Sequence, residues 1–146
     1  MKDAILQLIY AFIGSFGFAL LFNIRLTRLL PVAVGGMLTW GVYLITNHLM
    51  QNIFFAVFLA SAFAALYSEV LARILKAPTT VFTIPALIPL IPGSSLFYTM
   101  QNAVSSAWDS VLHYALETII FIGGITLGLS VVSALFKMFT KKKTVE

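Results

Sequence analysis

Three groups of residues in this sequence have the types and spacing to do chemistry. The first is Pro85, Pro89, Pro92, Gly93, Ser94, Ser95 and Tyr98, set in the apolar stretch 77–100, APTTVFTIPALIPLIPGSSLFYTM. Proline has no N–H, so in a helix these three would leave the carbonyls of Val81, Pro85 and Ile88 without their i−4 donors. Pro92-Gly93 is expected to end one half-helix, with the backbone turning at the glycine, and Ser94 or Ser95 to cap a second that runs to about Val104. The free N–H groups and positive dipole end of such a half-helix suit an anionic group held near a membrane midplane. The second group is Asp109, His113 and Glu117, on one face if helical, with Trp108, Val111, Leu112 and Ala115 opposite. A histidine tuned by carboxylates would make a proton relay or outer gate; the ordinary and preferred reading is an interfacial helix with its polar face in water. A metal site there has nothing else to support it. Glu69 is third, with Arg73 one helical turn on. It would couple an ion to movement, or more ordinarily form an exposed ion pair worth under about 1 kcal/mol.

The elements that must position these groups are membrane spans. Of 146 residues 60% are hydrophobic and 10% charged, and the mean hydropathy is +1.00, whereas soluble domains are about a quarter charged. The chain reads as an all-α polytopic membrane protein, one integral membrane domain over residues 1–146. A net charge of +4 raises nucleic acid as a partner, but the basic residues stand in short clusters beside apolar runs, which a topology signal explains more simply, so no nucleic acid is expected. With no cysteine, disulfides, thiol catalysis and thiolate metal sites are excluded. No nucleophile stands with a base, no glycine loop suits a phosphate and no histidines have metal-ligand spacing, so neither an enzyme nor a cofactor is expected. Lys2 and the apolar run after it read as a mature span, since the run is long for a signal sequence and no cleavage site follows.

About five spans are expected, the fourth broken. The first covers residues 5–22, with Ala11, Ser15 and Ala19 forming a small-residue stripe and Gly14 and Gly17 beside it. The second covers 29–46, with Pro31 in its first turn, and is followed by an uncharged loop over 47–52 that contains His48. The third starts near Ile53 and carries Ala56, Ala60, Ala64 and Ser68 on one face. The broken stretch is the fourth, residues 101–117 form a connecting segment, and the fifth covers 115–136 with Gly124-x-x-x-Gly128. Basic clusters stand at Arg25/Arg28, at Arg73/Lys76 and at Lys137 with Lys141 to Lys143. Five crossings put all three on one side, the cytoplasm, with the amino terminus outside. A re-entrant fourth segment would put the lysine tail outside, so a full crossing is expected.

The run PALIPLIPGSSLFY over 85–98, preceded by a basic stretch and Pro78, resembles the signature of the threonine/serine exporter (ThrE) family, and more specifically its small carboxy-terminal half, the YjjB-like subunit. The resemblance covers nearly the whole chain in the number and order of spans. It implies export of small carboxylate metabolites, amino acids such as threonine and serine or dicarboxylates such as succinate, across a bacterial cytoplasmic membrane. It also implies a five-span, YjjP-like partner subunit with a cytoplasmic amino-terminal region. Two such halves of opposite orientation would form an inverted repeat with the substrate site between them. A homo-oligomer is a further possible assembly. The rival from another class is an accessory membrane subunit whose broken helix only packs a larger complex, and a channel is a third reading.

Overall fold

The structure, a computed structural model, describes residues 2–142. Six α-helices and one short 3₁₀ turn follow in order: α1 Lys2–Leu21, α2 Leu26–Met50, α3 Ile53–Ile74, α4 Thr80–Leu87, the 3₁₀ turn Ile88–Leu90, α5 Gly93–Val104 and α6 Trp108–Lys142. Among the described residues four helices are long and apolar enough to cross a membrane, and α4 with α5, taken as one broken span, makes a fifth. The fold is all-helical among the described residues, as expected of a chain that must satisfy every backbone group within hydrocarbon. Lys143 lies outside the described residues.

Short connections close α1, α2, α3 and α5 with a left-handed residue. Asn23, Gln51, Lys76 and Ser106 all take left-handed backbone, with φ between 45° and 55°. Bonds from Ile24 N–H to the Ala19 carbonyl (3.1 Å), Ala77 N–H to Ala72 (3.0 Å) and Ala107 N–H to Asn102 (3.0 Å) are the six-to-one bonds that use up carbonyls at a helix end. Asn52 caps α3 by accepting from the Phe55 N–H at 3.3 Å.

Three boundaries differ from expectation. Helix α2 runs through the expected loop to Met50, so only Gln51 and Asn52 separate it from α3. Pro31 lies beyond the first turn, as the sixth residue of α2. The connecting segment 101–117 is no element of its own: its first residues finish α5, a turn follows, and the rest opens α6.

The small-residue stripes are where helices meet. Ala11, Ser15 and Ala19 are buried, as are Ala56, Ala60, Ala64 and Ser68. A Cβ on Gly36 of α2 would overlap Ser15 Oγ and lie 3.4 Å from the Pro85 carbonyl oxygen. A Cβ on Gly128 of α6 would overlap Ser61 Oγ and stand 2.6 Å from the Phe58 carbonyl oxygen of α3. Lipid supplies no hydrophobic drive for helices to associate, so this closeness carries the packing. At one end of the bundle Arg28 Nη2 donates to the Leu75 carbonyl at 3.1 Å, and the Arg73 guanidinium lies 4.9 Å from the Phe136 ring centre. The clusters at Arg25/Arg28, Arg73/Lys76 and Lys137 therefore share that end.

Candidate functional site at the broken span

The break is made by successive prolines and repaired by short-range bonds. The Ile88 N–H donates to the Pro85 carbonyl, and the Ile91 N–H to the Ile88 carbonyl at 3.2 Å. Both carbonyls that the sequence leaves orphaned at these positions are thus recaptured by i+3 donors, which is why the chain tightens to 3₁₀ there. Pro92, at φ −76° and ψ 59°, is the centre of an inverse γ-turn, with Gly93 N–H donating to the Ile91 carbonyl at 2.7 Å. The two halves meet at 53°.

Two expectations about this turn are corrected. Pro92 occupies the N-cap of α5 and no side chain caps it, so neither Ser94 nor Ser95 does. Gly93 is not where the chain turns: no glycine takes positive φ, and a Cβ on Gly93 would meet nothing within 4 Å. Proline's fixed φ makes the bend, and Gly93 is the first residue of α5. The Leu96 N–H donates to the Pro92 carbonyl at 3.0 Å, while the N–H groups of Ser94 and Ser95 have no acceptor among the described residues. Ser94 is exposed and Ser95 buried.

Surroundings differ along the span. Phe82, Pro85, Ala86, Leu90 and Pro92 are buried, α4 and the 3₁₀ turn packing among α1, α2 and α3, whereas α5 packs on α6. Tyr98, 45% exposed, sets its ring 5.2 Å from that of Tyr114 on α6; Phe121 of α6 is 6.0 Å from Tyr43 of α2. Gly93 stands five residues before Tyr98, about 7.5 Å along a helix, so it lies close to the level of Phe121 and Tyr43. That places the start of α5 near the end of the bundle remote from the basic clusters rather than at its middle. Beside the break, a groove of about 290 Å³ is lined by Gln7, Tyr10, Trp40, Ile88 and Pro89 among others, and across it Trp40 Nε1 donates to Gln7 Oε1 at 3.2 Å.

Asp109, His113 and Glu117 do share a face, in the first turns of α6, with Asp109 and His113 exposed and Glu117 half-buried. Glu117 is an electrostatic neighbour of Tyr43, and the His113 ring stands edge-on to Tyr114 at 5.3 Å. Of the residues expected opposite, Val111 and Ala115 are half-buried, and Trp108 and Leu112 are 68% and 62% exposed. Among the described residues no group of His, Cys, Asp or Glu is placed to hold a metal ion. Glu69 is half-buried near the basic end and forms no hydrogen bond or ion pair among the described residues; the expected pairing with Arg73 gives way to the Arg73–Phe136 contact. Glu69 and the Asp109 group thus lie toward opposite ends. Sequence reasoning missed Gln7 and Trp40, although a glutamine within an apolar span is a signal in itself.

An uncharacterized protein of Haemophilus influenzae is 26% identical over 144 residues, which cover 93% of this chain and 48% of the relative, so the chain spans about half the length of the curated relative it matches. No solved structure matches it significantly. The model of the threonine/serine exporter family, ThrE, matches residues 7–135, a region that holds α2 to α5 with the whole of the break and most of α1 and α6, and the chain belongs to that family of membrane exporters.

Proposed function

We propose that this chain is one membrane subunit of a two-component secondary exporter of small carboxylate metabolites, threonine and serine or succinate-like dicarboxylates, with the carboxylate received at the start of α5. The observation that carries this reading is the pair of N–H groups on Ser94 and Ser95, left without acceptors at a bend in an apolar span. A carboxylate would accept from both, and hydrogen bonds to a charged group contribute about 1.5 to 3 kcal/mol each. Pro85, Pro89 and Pro92 hold the bend, and Tyr98 stands one helical turn beyond Ser94. In this reading Asp109, His113 and Glu117, toward the same end, would gate the mouth, and Glu69 near the other would couple an ion. The relative's doubled length supports a second, YjjP-like five-span half as partner. The basic end would face the cytoplasm of a bacterial inner membrane, with the amino terminus and the start of α5 toward the outside.

The test is efflux of labelled threonine, serine and succinate from cells that express this chain with and without the presumed partner. Efflux that needs both chains is expected. No efflux of any of the three in either case would favour the accessory-subunit reading instead.

A further inference from the structure

At the basic end a second groove, of about 190 Å³, lies between the α1–α2 turn and α4, lined by Phe22, Ile24, Thr80, Val81, Ile84 and Pro85. Its lining is apolar apart from Thr80. Ile24 and Val81 also pack on the buried cluster around Phe82, together with Leu75 and Ala77. Cations belong to the chain neighbours of these residues: Arg25 follows the lining residue Ile24, Lys76 joins Leu75 to Ala77, and Arg28 reaches the Leu75 carbonyl. No carboxylate among the described residues pairs with Arg25, Arg28 or Lys76. A lining made mainly of methyl and ring carbon, at an end where five cations outnumber Glu69, complements an anionic amphiphile, and a slot of this volume admits a run of methylenes but not a helix about 10 Å across.

We propose that this groove holds one acyl chain of an anionic membrane lipid, its headgroup among Arg25, Arg28 and Lys76 and its tail against Ile84 and Pro85. The lipid then lies on the first proline of the broken span and braces α4 where it enters the bundle. The inference is independent of what the chain exports.

Native mass spectrometry of the full chain, released from detergent and titrated with phosphatidylglycerol or phosphatidylcholine of the same acyl chains, tests it. One phosphatidylglycerol is expected to bind at least tenfold more tightly than phosphatidylcholine. The double variant Arg25→Gln/Lys76→Gln should lose that preference. Ile84→Trp, which fills the groove and keeps every charge, should weaken retention of both lipids. Lys137→Gln, which removes a cation at the same end but away from the groove, should change nothing, and glycerol phosphate should not displace the lipid. Equal affinity for the two lipids would overturn the proposal. So would a preference lost as fully in Lys137→Gln as in the double variant, or retention untouched by Ile84→Trp. Circular dichroism of each variant, matched to wild type, separates lost binding from lost fold.

Discussion

The two halves of the broken span differ in sequence and are treated oppositely: TVFTIPALIPL over 80–90 is apolar apart from its threonines, whereas GSSLFYTMQNAV over 93–104 mixes apolar residues with serine, threonine, glutamine and asparagine. Residues 80–90 sit among α1, α2 and α3, and Phe82, Ala86 and Leu90 have no exposed surface. Residues 93–104 pack on α6, and Phe97, Met100 and Val104 are 63%, 70% and 88% exposed. The irregular backbone lies in or next to the first half; the second is a regular α-helix. Hydrocarbon enforces this division, because an unpaired backbone group facing lipid costs several kcal/mol, while protein can supply the i+3 donors and close packing that a proline break requires. The turn at Pro92 is the border between the two, and it is there that N–H groups remain unused.

The sharpest way to break the comparison is to place bulk on each side of that border. Gly36→Leu would drive a side chain into Ser15 and toward the Pro85 carbonyl, and neither α1 nor α4 can move without opening the bundle. A loss on the order of 3 kcal/mol is expected, read as a collapse of membrane abundance and of the detergent unfolding midpoint. Near-normal stability would mean that α1 and α4 are held far more loosely than their contacts imply.

On the other side, Gly93→Val meets open space, so the folded chain should tolerate it while anything approaching the N–H groups of Ser94 and Ser95 would not. Normal abundance with export abolished is the expected outcome when the partner is present. Joint replacement of Pro89 and Pro92 by Ala should also remove export, because a continuous helix would bond the donors that the bend leaves free. Wild-type efflux in both variants would assign the break a structural role alone and shift attention to Asp109, His113 and Glu117.

Among the helices that enclose the buried half the next effect is smaller. Tyr67 donates its hydroxyl to the Pro31 carbonyl at 2.7 Å, joining α3 to α2. Tyr67→Phe keeps the ring beside Gly35 and removes only the bond, which should lower stability by about 0.6 to 1.7 kcal/mol. A matching change on the projecting half, Tyr98→Phe, has no hydroxyl bond to lose among the described residues and should leave the unfolding midpoint in place.

Much of this was legible in the sequence, and the reasons are physical. Spans follow from runs of apolar residues, and Ala11/Ser15/Ala19 and Gly124/Gly128 announce close contacts because only small residues permit them. The prolines located the break. Their repair was not legible, since Pro89 and Pro92 decide whether the chain loses its bonds or tightens to i+3 bonds only through local geometry. Nor was the cap, because a serine after Pro-Gly fits an N-cap pattern while Pro92 already occupies that position in the fold. The extension of α2 through Asn47 and His48 escaped notice because polar residues at a helix end look like a loop. The level of the break within the bundle depends on pairings such as Tyr98 with Tyr114 and Tyr43 with Phe121, which hydropathy does not encode. The Gln7–Trp40 bond joins residues 33 apart in sequence, and no local pattern predicts it.

The smallest expected effect separates backbone from side chain at the border itself. Had Ser94 capped α5, removing its hydroxyl would cost about 1 kcal/mol, a factor of several in any equilibrium that depends on the helix start. The position is already occupied by Pro92 with no side-chain bond, and Ser94 is an exposed residue in the first turn. If the donors to the carboxylate are the N–H groups of Ser94 and Ser95, alanine at 94 retains both, and as a better helix former it holds that turn at least as firmly. Ser94→Ala should therefore leave export within about twofold of wild type, where a direct hydrogen bond from the hydroxyl to a charged group, worth about 1.5 to 3 kcal/mol, would make the loss tenfold or more. Efflux of labelled substrate, normalised to membrane abundance, decides between them. A tenfold loss would place the hydroxyl rather than the backbone at the substrate, and would move the contact outward from the turn at Pro92 to the exposed face of α5.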